Sequence, residues 1–476
     1  MIEETILNCL KTHQNEPAYL TGGVSFTYGE LQRYVGAIQQ ALLRQSSRAP
    51  VMLYGSKESH MKAGILACLL SGVPYVPVDA SFPSGRVKEM IGLAAVSMVI
   101  GDYDGGLTPV LTTREIEEAV RTSAAPSPTA IERSADDTAY IIFTSGSTGT
   151  PKGVMVSYRS VDSCARWLDT LVGPCRCVLN QAKFSFDLSV ADLYLSLLRG
   201  AAHFALREDE LRDFRLLFSR LKESGADTAV MTPSFAQLLL LDQSFNADLL
   251  PRLATILFCG EALQPKTAKR LMERFPGIRI LNCYGPSEAT FAVTAAEITQ
   301  ADTALPALPV GRAKSGVEIE LACDGEVIII GDSVAKGYLP PFSSSAFFTL
   351  RGRPAYRSGD YGHMKDGVLW LSGRRDSQIK LAGYRIELGD IENNLLLLDG
   401  VAAAAVVPKR QKDGEVVSLT AFVVPEKDAP ITQEQIKKEL QTQLPAYMMP
   451  RLKIADRLPL NANGKCDKMK LAGKEI

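Results

Sequence analysis

Between Val51 and Cys259 the chain repeats one pattern: a short, mostly β-branched apolar run, then a segment whose apolar residues recur at helical spacing. The runs are Val51–Tyr54, Val73–Val78, Met98–Ile100, Ala139–Thr144, Arg176–Leu179, Ala201–Ala205, Thr228–Met231 and Ile256–Cys259. Helical spacing falls between or after them at His60–Leu70, Val190–Arg199, Leu211–Glu223 and Pro265–Phe275. A continuous apolar run of this length reads as a strand buried on both faces, and strands alternating with helices give a mostly parallel, covered sheet. Upstream, Tyr28–Arg44 is a helix announced by Thr27 as N-cap, with Glu30 three residues on to complete a capping box.

From about Val317 the texture changes. Val317–Leu321, the turn Asp324-Gly325, Glu326–Ile330, then Asp366-Gly367 and Val368–Leu371 describe hairpins, hence a small barrel or twisted sheet. After Gly373-Arg374-Arg375-Asp376 a separate α+β unit follows, with helix Leu388–Leu398, strands Ala402–Val407 and Leu419–Val424, and helix Thr432–Gln443. The expectation is an α/β protein in two parts. Residues 1–375 form a large N-terminal core of covered, mostly parallel sheets, with a barrel-like β-rich subdomain over 312–375; residues 376–476 form a small mobile C-terminal domain.

Bulk properties narrow the class. A chain of 476 residues exceeds one ordinary core. Fifty-two basic residues against 53 acidic ones leave no field for nucleic acid or a membrane surface. No apolar run reaches the roughly 20 residues a bilayer demands, and Met1-Ile2-Glu3-Glu4 lacks a basic leader segment. The nine cysteines are scattered without zinc spacing, so a reduced, cytoplasmic protein is expected, with no nucleic-acid partner and no membrane insertion.

Tyr140–Val154, YIIFTSGSTGTPKGV, welds a core strand to a run of small and hydroxylated residues and then to Pro151-Lys152-Gly153. Small residues let backbone N–H groups close around an anion, and Thr144, Ser145, Ser147 and Thr148 add hydroxyls and Lys152 a charge, so the loop suits a polyphosphate. A flexible linker is the alternative; the Walker spacing GxxxxGK[ST] is absent. Asp187, in FSFDLSVADLY, either caps the helix that follows or anchors a substrate cation. NCYGPSEAT offers Tyr284 to a planar base and Glu288 to a hard cation, or is simply a polar loop. Asp360, in YRSGDYG, suits ribose hydroxyls or a surface turn, and Lys465, in Asn463-Gly464-Lys465, reads by itself as a solvated charge.

The order and spacing of these segments, together with GRRDSQIKLAGYRIELGDIE and YVPVD, resemble the adenylate-forming superfamily, in its amino-acid-activating branch. The resemblance runs from Phe26 to Lys465. It implies ATP and Mg²⁺ as cofactors, with Thr144, Ser145, Gly146, Ser147, Thr148 and Lys152 around the phosphates. Gly260, Glu261, Ala262, Asn282, Tyr284, Gly285 and Ser287 would frame the adenine, Asp360 and Arg374 the ribose, and Glu288 would ligate the metal. Lys465 would serve both ATP binding and catalysis of adenylation. Rotation about a hinge at Asp376 would replace it by the loop of Lys380 and Gly383, where a pantetheine arm enters. The partner implied is a phosphopantetheinylated carrier protein in trans.

By the same resemblance Asp187 would bind the substrate ammonium, and Leu188, Ala191, Ser234, Leu257, Cys259, Cys283, Phe291 and Ala292 would line a weakly polar pocket for a small amino acid. TPSF (Thr232–Phe235), DLLPRLATILFCGEAL and AVTAAEIT are similar to D-alanine-activating enzymes, which favours D-alanine. Ala191, Cys283 and Ala382 depart from a bulkier residue, Thr and His there. The alternatives are a nonribosomal-peptide-type adenylation enzyme for another small neutral amino acid and a non-catalytic nucleotide-binding protein.

Overall fold

The computed structural model describes residues 2–106, 108–122, 126–145, 150–374, 378–411, 414–426, 431–459 and 466–472. The chain divides into two compact units. The larger comprises Met1–Ala80, Leu93–Ile142 and Gly153–Gly373; the smaller gathers Arg374–Ile476 with two short earlier segments, Ser81–Gly92 and Phe143–Lys152.

Two sheets carry the larger unit. One has six strands in the order Val110–Leu111, Met98–Ile100, Val51–Gly55, Tyr75–Asp79, Thr138–Thr144, Lys152–Ser157, and the pairs among the first five are parallel. The other has nine strands, ordered Arg312–Ala313, Thr294–Ile298, Arg279–Tyr284, Thr255–Phe258, Thr228–Met231, Cys177–Asn180, Ala202–Ala205, Pro17–Thr21, Val24–Thr27. Its six central strands run parallel and its edges are antiparallel. The apolar runs of the sequence thus become inner strands of crossover units, as their double-faced burial requires.

Helices behave as their sequences dictate. Tyr28–Gln45 starts on Thr27, whose hydroxyl accepts from the Glu30 amide while the Glu30 carboxylate accepts from the Thr27 amide. Ser59–Ser71 is buried from His60 onward on every side, a core helix rather than an amphipathic one. It nevertheless carries Lys62, whose ammonium donates to Ala18 O at 3.0 Å and Ser196 Oγ at 3.3 Å and lies 5.5 Å from the centre of the Tyr19 ring. The single helix expected over Leu211–Glu223 is two, Glu208–Arg212 and Phe214–Ser224. Asp213 divides them because its carboxylate accepts from the amides of Arg215 and Leu216, capping a new helix instead of continuing the old one. The turn-rich segment after Val310 folds into a five-stranded antiparallel sheet around Glu326–Gly331 and Arg353–Lys365.

In the smaller unit the hairpin Gln378–Leu381/Tyr384–Glu387 leads into helix Leu388–Leu396. A three-stranded sheet, Val401–Arg410, Val416–Pro425 and Arg451–Ile454, shares with helices Leu388–Leu396 and Gln433–Gln443 a core that includes Ile386, Ile391, Leu395, Val423 and Leu440. Helix Ser84–Leu93 joins this unit through Arg86, which pairs with the fully buried Asp390 at 3.2 Å. Beside the pair, Tyr384 stacks on Tyr447 at 3.8 Å between ring centres, and Phe82 lies 6.4 Å from Tyr447.

Candidate active site

The strand Thr138–Thr144 delivers the Gly/Ser/Thr loop, and Thr144 Oγ1 donates to the carbonyl of Lys152 across the loop's base at 3.4 Å. Ser145 Oγ donates to Arg385 O and accepts from the Glu387 amide, both at 3.0 Å. The loop's first hydroxyl is thereby tied to the hairpin that carries Lys380 and Gly383. Ala382 and Gly383 make the two-residue turn of that hairpin, with φ of 50° and 84°. Both values lie where glycine is at ease and alanine is not, so a compact turn is held at some cost at Ala382. Gly146, Ser147, Thr148, Asp376 and Lys465 lie outside the described residues.

In the larger unit, strand Arg279–Tyr284 ends in the segment that gathers three expected groups. Tyr284 Oη donates to Asp360 Oδ2 at 2.8 Å with both side chains buried, so the ring expected at the base and the carboxylate expected at the ribose form one hydrogen-bonded pair. Asp360 is aligned further by its own amide, which donates to Ser358 Oγ at 3.1 Å. Gly285 must be glycine: a Cβ there would meet Ala292 Cα at 2.6 Å and Phe291 O at 2.8 Å. Asn282 is different, because its side-chain amide donates to Pro309 O at 2.8 Å and so braces the strand. Ala262 is exposed, whereas Ser287 is half-buried and opens the turn Ser287–Ala289.

Glu288, in that turn, has no solvent exposure, and its Oε1 accepts from Tyr338 Oη at 2.6 Å. The two residues after the turn, Thr290 and Phe291, hold φ of 59° and 69°. Neither is glycine, and such conformations cost about 1–3 kcal/mol each, a cost that the surrounding structure has to impose. Thr290 is held by its hydroxyl, which donates to Ser333 O at 2.8 Å, and the result turns Phe291 into the protein interior.

Leu188, Ala191, Leu257, Cys259, Cys283, Phe291 and Ala292 all fall in one buried cluster. Strand register explains part of this: Leu257 pairs with Leu281 and Phe258 with Asn282 in parallel, which brings Cys259 and Cys283 to neighbouring positions on one face. The Cys259 thiol donates to Phe291 O at 3.7 Å. Burial pushes the Cys283 thiol far up, with Cys259 and Cys164 adding to the effect, so it stays protonated and acts as a small apolar wall. Ser234 is joined to Glu261, whose Oε2 accepts from the Ser234 amide at 2.9 Å and hydroxyl at 2.5 Å.

Asp187 stands ahead of a helix without capping it. It adopts an α conformation before helix Leu188–Arg199 and its side chain makes no cap hydrogen bond. The capping alternative is therefore not realised. Its charge instead acts on the phenol of Tyr140 and the thiol of Cys164, both buried, and helps raise their pKa values after burial itself. Tyr140, Cys164 and Tyr338 are neighbours that the sequence did not single out; only Tyr140 carried a signal, as part of the strand entering the loop. Among the described residues no group of three or more His, Cys, Asp or Glu side chains could hold a metal ion, and no helix is long and apolar enough to cross a membrane.

Comparison with known proteins gives concordant matches along the chain. The family model described as AMP-binding enzyme matches residues 8–339, and that of the AMP-binding enzyme C-terminal domain matches residues 390–465. The D-alanine--D-alanyl carrier protein ligase of Bacillus licheniformis is 39% identical, over 98% of this chain and 98% of its own. That of Listeria monocytogenes is 41% identical, over 96% and 95%. Among solved structures, the Vibrio cholerae adenylation domain AlmE, in complex with glycyl-adenosine-5'-phosphate, superposes with a TM-score of 0.83 at 24% identity, covering 99% of this chain and 97% of its own.

Proposed function

This chain belongs to the AMP-binding enzyme family, and from that premise we infer that it activates D-alanine with ATP and passes the aminoacyl group to a carrier protein. One observation carries the reading: relatives named D-alanine--D-alanyl carrier protein ligase are 39% and 41% identical over nearly its whole length. The expected pocket residues support it, since Leu188, Ala191, Leu257, Cys259, Cys283, Phe291 and Ala292 all lie buried in one apolar cluster.

In the first step a substrate carboxylate oxygen attacks the α-phosphorus of ATP, an O–P bond forms and pyrophosphate leaves. Two anions must be brought together, so the protein's task is alignment and charge neutralisation rather than proton transfer. Lys152 and the loop after Thr144 hold the phosphates, Tyr284 and Asp360 the nucleoside, Asp187 the substrate ammonium. Lys465 neutralises charge at the reacting phosphorus. In the second step the carrier's thiol sulfur attacks the acyl carbonyl, AMP leaves with the bonding pair, and the thiol proton passes to solvent. Rotation about Asp376 would exchange Lys465 for the Lys380–Gly383 turn between the steps.

Glu288 fits Mg²⁺: a fully buried hard oxygen donor, held by a phenol, suits an ion that takes one or two carboxylates and completes its shell with phosphate and water. When bound, the ion supplies charge neutralisation for the triphosphate. A cytoplasmic location accords with nine free cysteines, of which only Cys323 is exposed and Cys466 half-buried.

The deciding experiment is amino-acid-dependent exchange of labelled pyrophosphate into ATP, with D-alanine, L-alanine, glycine, serine and proline. D-alanine is expected to stimulate most. No stimulation by any of them sinks the ligase reading; preference for an L-amino acid or glycine leaves adenylation standing and replaces the substrate.

A further inference from the structure

We propose that Tyr338 is the positioning residue of the carboxylate Glu288, holding it in the one orientation in which it ligates the metal. The inference rests on the reading of Glu288 as the Mg²⁺ ligand. Glu288 sits in a three-residue turn, Ser287–Ala289, which by itself gives a long side chain little restraint. Its carboxylate is nonetheless fully buried, and the Tyr338 hydroxyl donates to Oε1 at 2.6 Å. An O–H···O⁻ bond of that length is charge-assisted and directional. With Oε1 held by the phenol, the plane of the carboxylate is fixed.

Tyr338 is itself immobilised. Its ring meets Phe347 edge-on at 5.2 Å, and Phe347 lies 4.7 Å from Tyr356. Its backbone bridges Val154, while Leu339 N donates to Gly153 O at 2.8 Å and Met155 N to Gly337 O at 2.9 Å. The same segment grips the turn at Glu288 and just beyond it: Ala335 N donates to Glu288 O at 2.8 Å, and Thr290 Oγ1 to Ser333 O. Residues 333–339 therefore couple the carboxylate to the strand that follows the Gly/Ser/Thr loop in sequence. A positioning group of this kind typically sets metal affinity by ~10–100-fold, because it fixes the ligand before the ion arrives.

The test is a Mg²⁺ titration of ATP binding to the full chain in the absence of amino acid, followed by calorimetry, for wild type, Tyr338→Phe and Glu288→Gln. Phenylalanine keeps the packing on Phe347 and removes only the hydroxyl. The expected result for Tyr338→Phe is a Mg²⁺ midpoint raised ~10–100-fold, an unchanged KM for the amino acid, and exchange activity restored at high Mg²⁺. A midpoint unmoved in Tyr338→Phe but raised in Glu288→Gln overturns the proposal and leaves the metal reading intact. So does a lowered melting temperature with an unmoved midpoint, which would make the tie merely structural. A midpoint unmoved in both variants overturns the assignment of Glu288 as well.

Discussion

At the residue scale, chemistry here depends on what each polar group faces rather than on its type. Asp187 and Asp213 both precede a helix. Asp213 accepts two amides and caps; Asp187 makes no cap bond, and on the proposed reading its carboxylate meets the substrate ammonium. Asp187→Asn should therefore raise the KM for the amino acid ~10–100-fold, the equivalent of losing a charged hydrogen bond of about 1.5–3 kcal/mol. The kcat of pyrophosphate exchange should change little, and an unaltered KM would show that Asp187 is not the ammonium site. Glu261 and Ser234 carry the same lesson, since two residues expected on different ligands are bonded to each other.

At the element scale the buried helix Ser59–Ser71 makes a prediction about pH. Burial lowers the pKa of Lys62 from 10.5 to about 7, and that of Lys57 to about 8. Between those folded values and 10.5 the unfolded chain binds more protons than the folded one, so the two lysines make stability rise with pH through that window. Asp192 works in the opposite sense lower down: burial raises it from 3.8 to about 7, so between those values the folded state holds the extra proton and stability falls with pH. Lys62→Met should flatten the rise above pH 7 in urea denaturation and stabilise the protein at neutral pH by about 1–3 kcal/mol, through relief of a buried amine with few partners. An unchanged pH slope would contradict this. Helix Ser84–Leu93 depends on a different element, through Arg86 and Asp390. Asp390→Ala should cost about 3–5 kcal/mol, because it removes a fully buried carboxylate from its pair with the buried Arg86 guanidinium. Denaturant midpoints measure it, and a double variant Arg86→Met/Asp390→Leu should recover most of the loss.

At the scale of the whole molecule the proposed reaction has two steps served by different parts of the chain, so variants should separate them. Gly383 occupies a left-handed turn position, φ 84°, in the hairpin tied to Ser145. Gly383→Val should leave pyrophosphate exchange near wild type while aminoacyl transfer to a purified phosphopantetheinylated carrier falls at least ~10-fold, since a β-branched side chain resists that backbone and fills the space for the thiol arm. Equal loss of both activities would remove the turn from the second step alone.

Most of the fold was legible from periodicity. Met98–Ile100, Thr228–Met231 and Val317–Leu321 stand where their apolar runs predict, and the capping box at Thr27 marks its helix to the residue. Such signals are local, because the hydrophobic period of a strand or helix is set by which faces it buries. The strand Pro17–Thr21, the edge strand Val24–Thr27 and the helix Tyr158–Val172 escaped, being short or mixed in pattern. The motif residues, too, could be named from the sequence, because the family resemblance supplies their order. What only the tertiary structure decided is partnership: Tyr284 with Asp360 across 76 residues, Tyr338 with Glu288 across 50, Arg86 with Asp390 across 304. Chain distance carries no trace of these pairings. They arise when sheets and turns bring remote segments together, and a buried polar group takes whichever partner that packing provides.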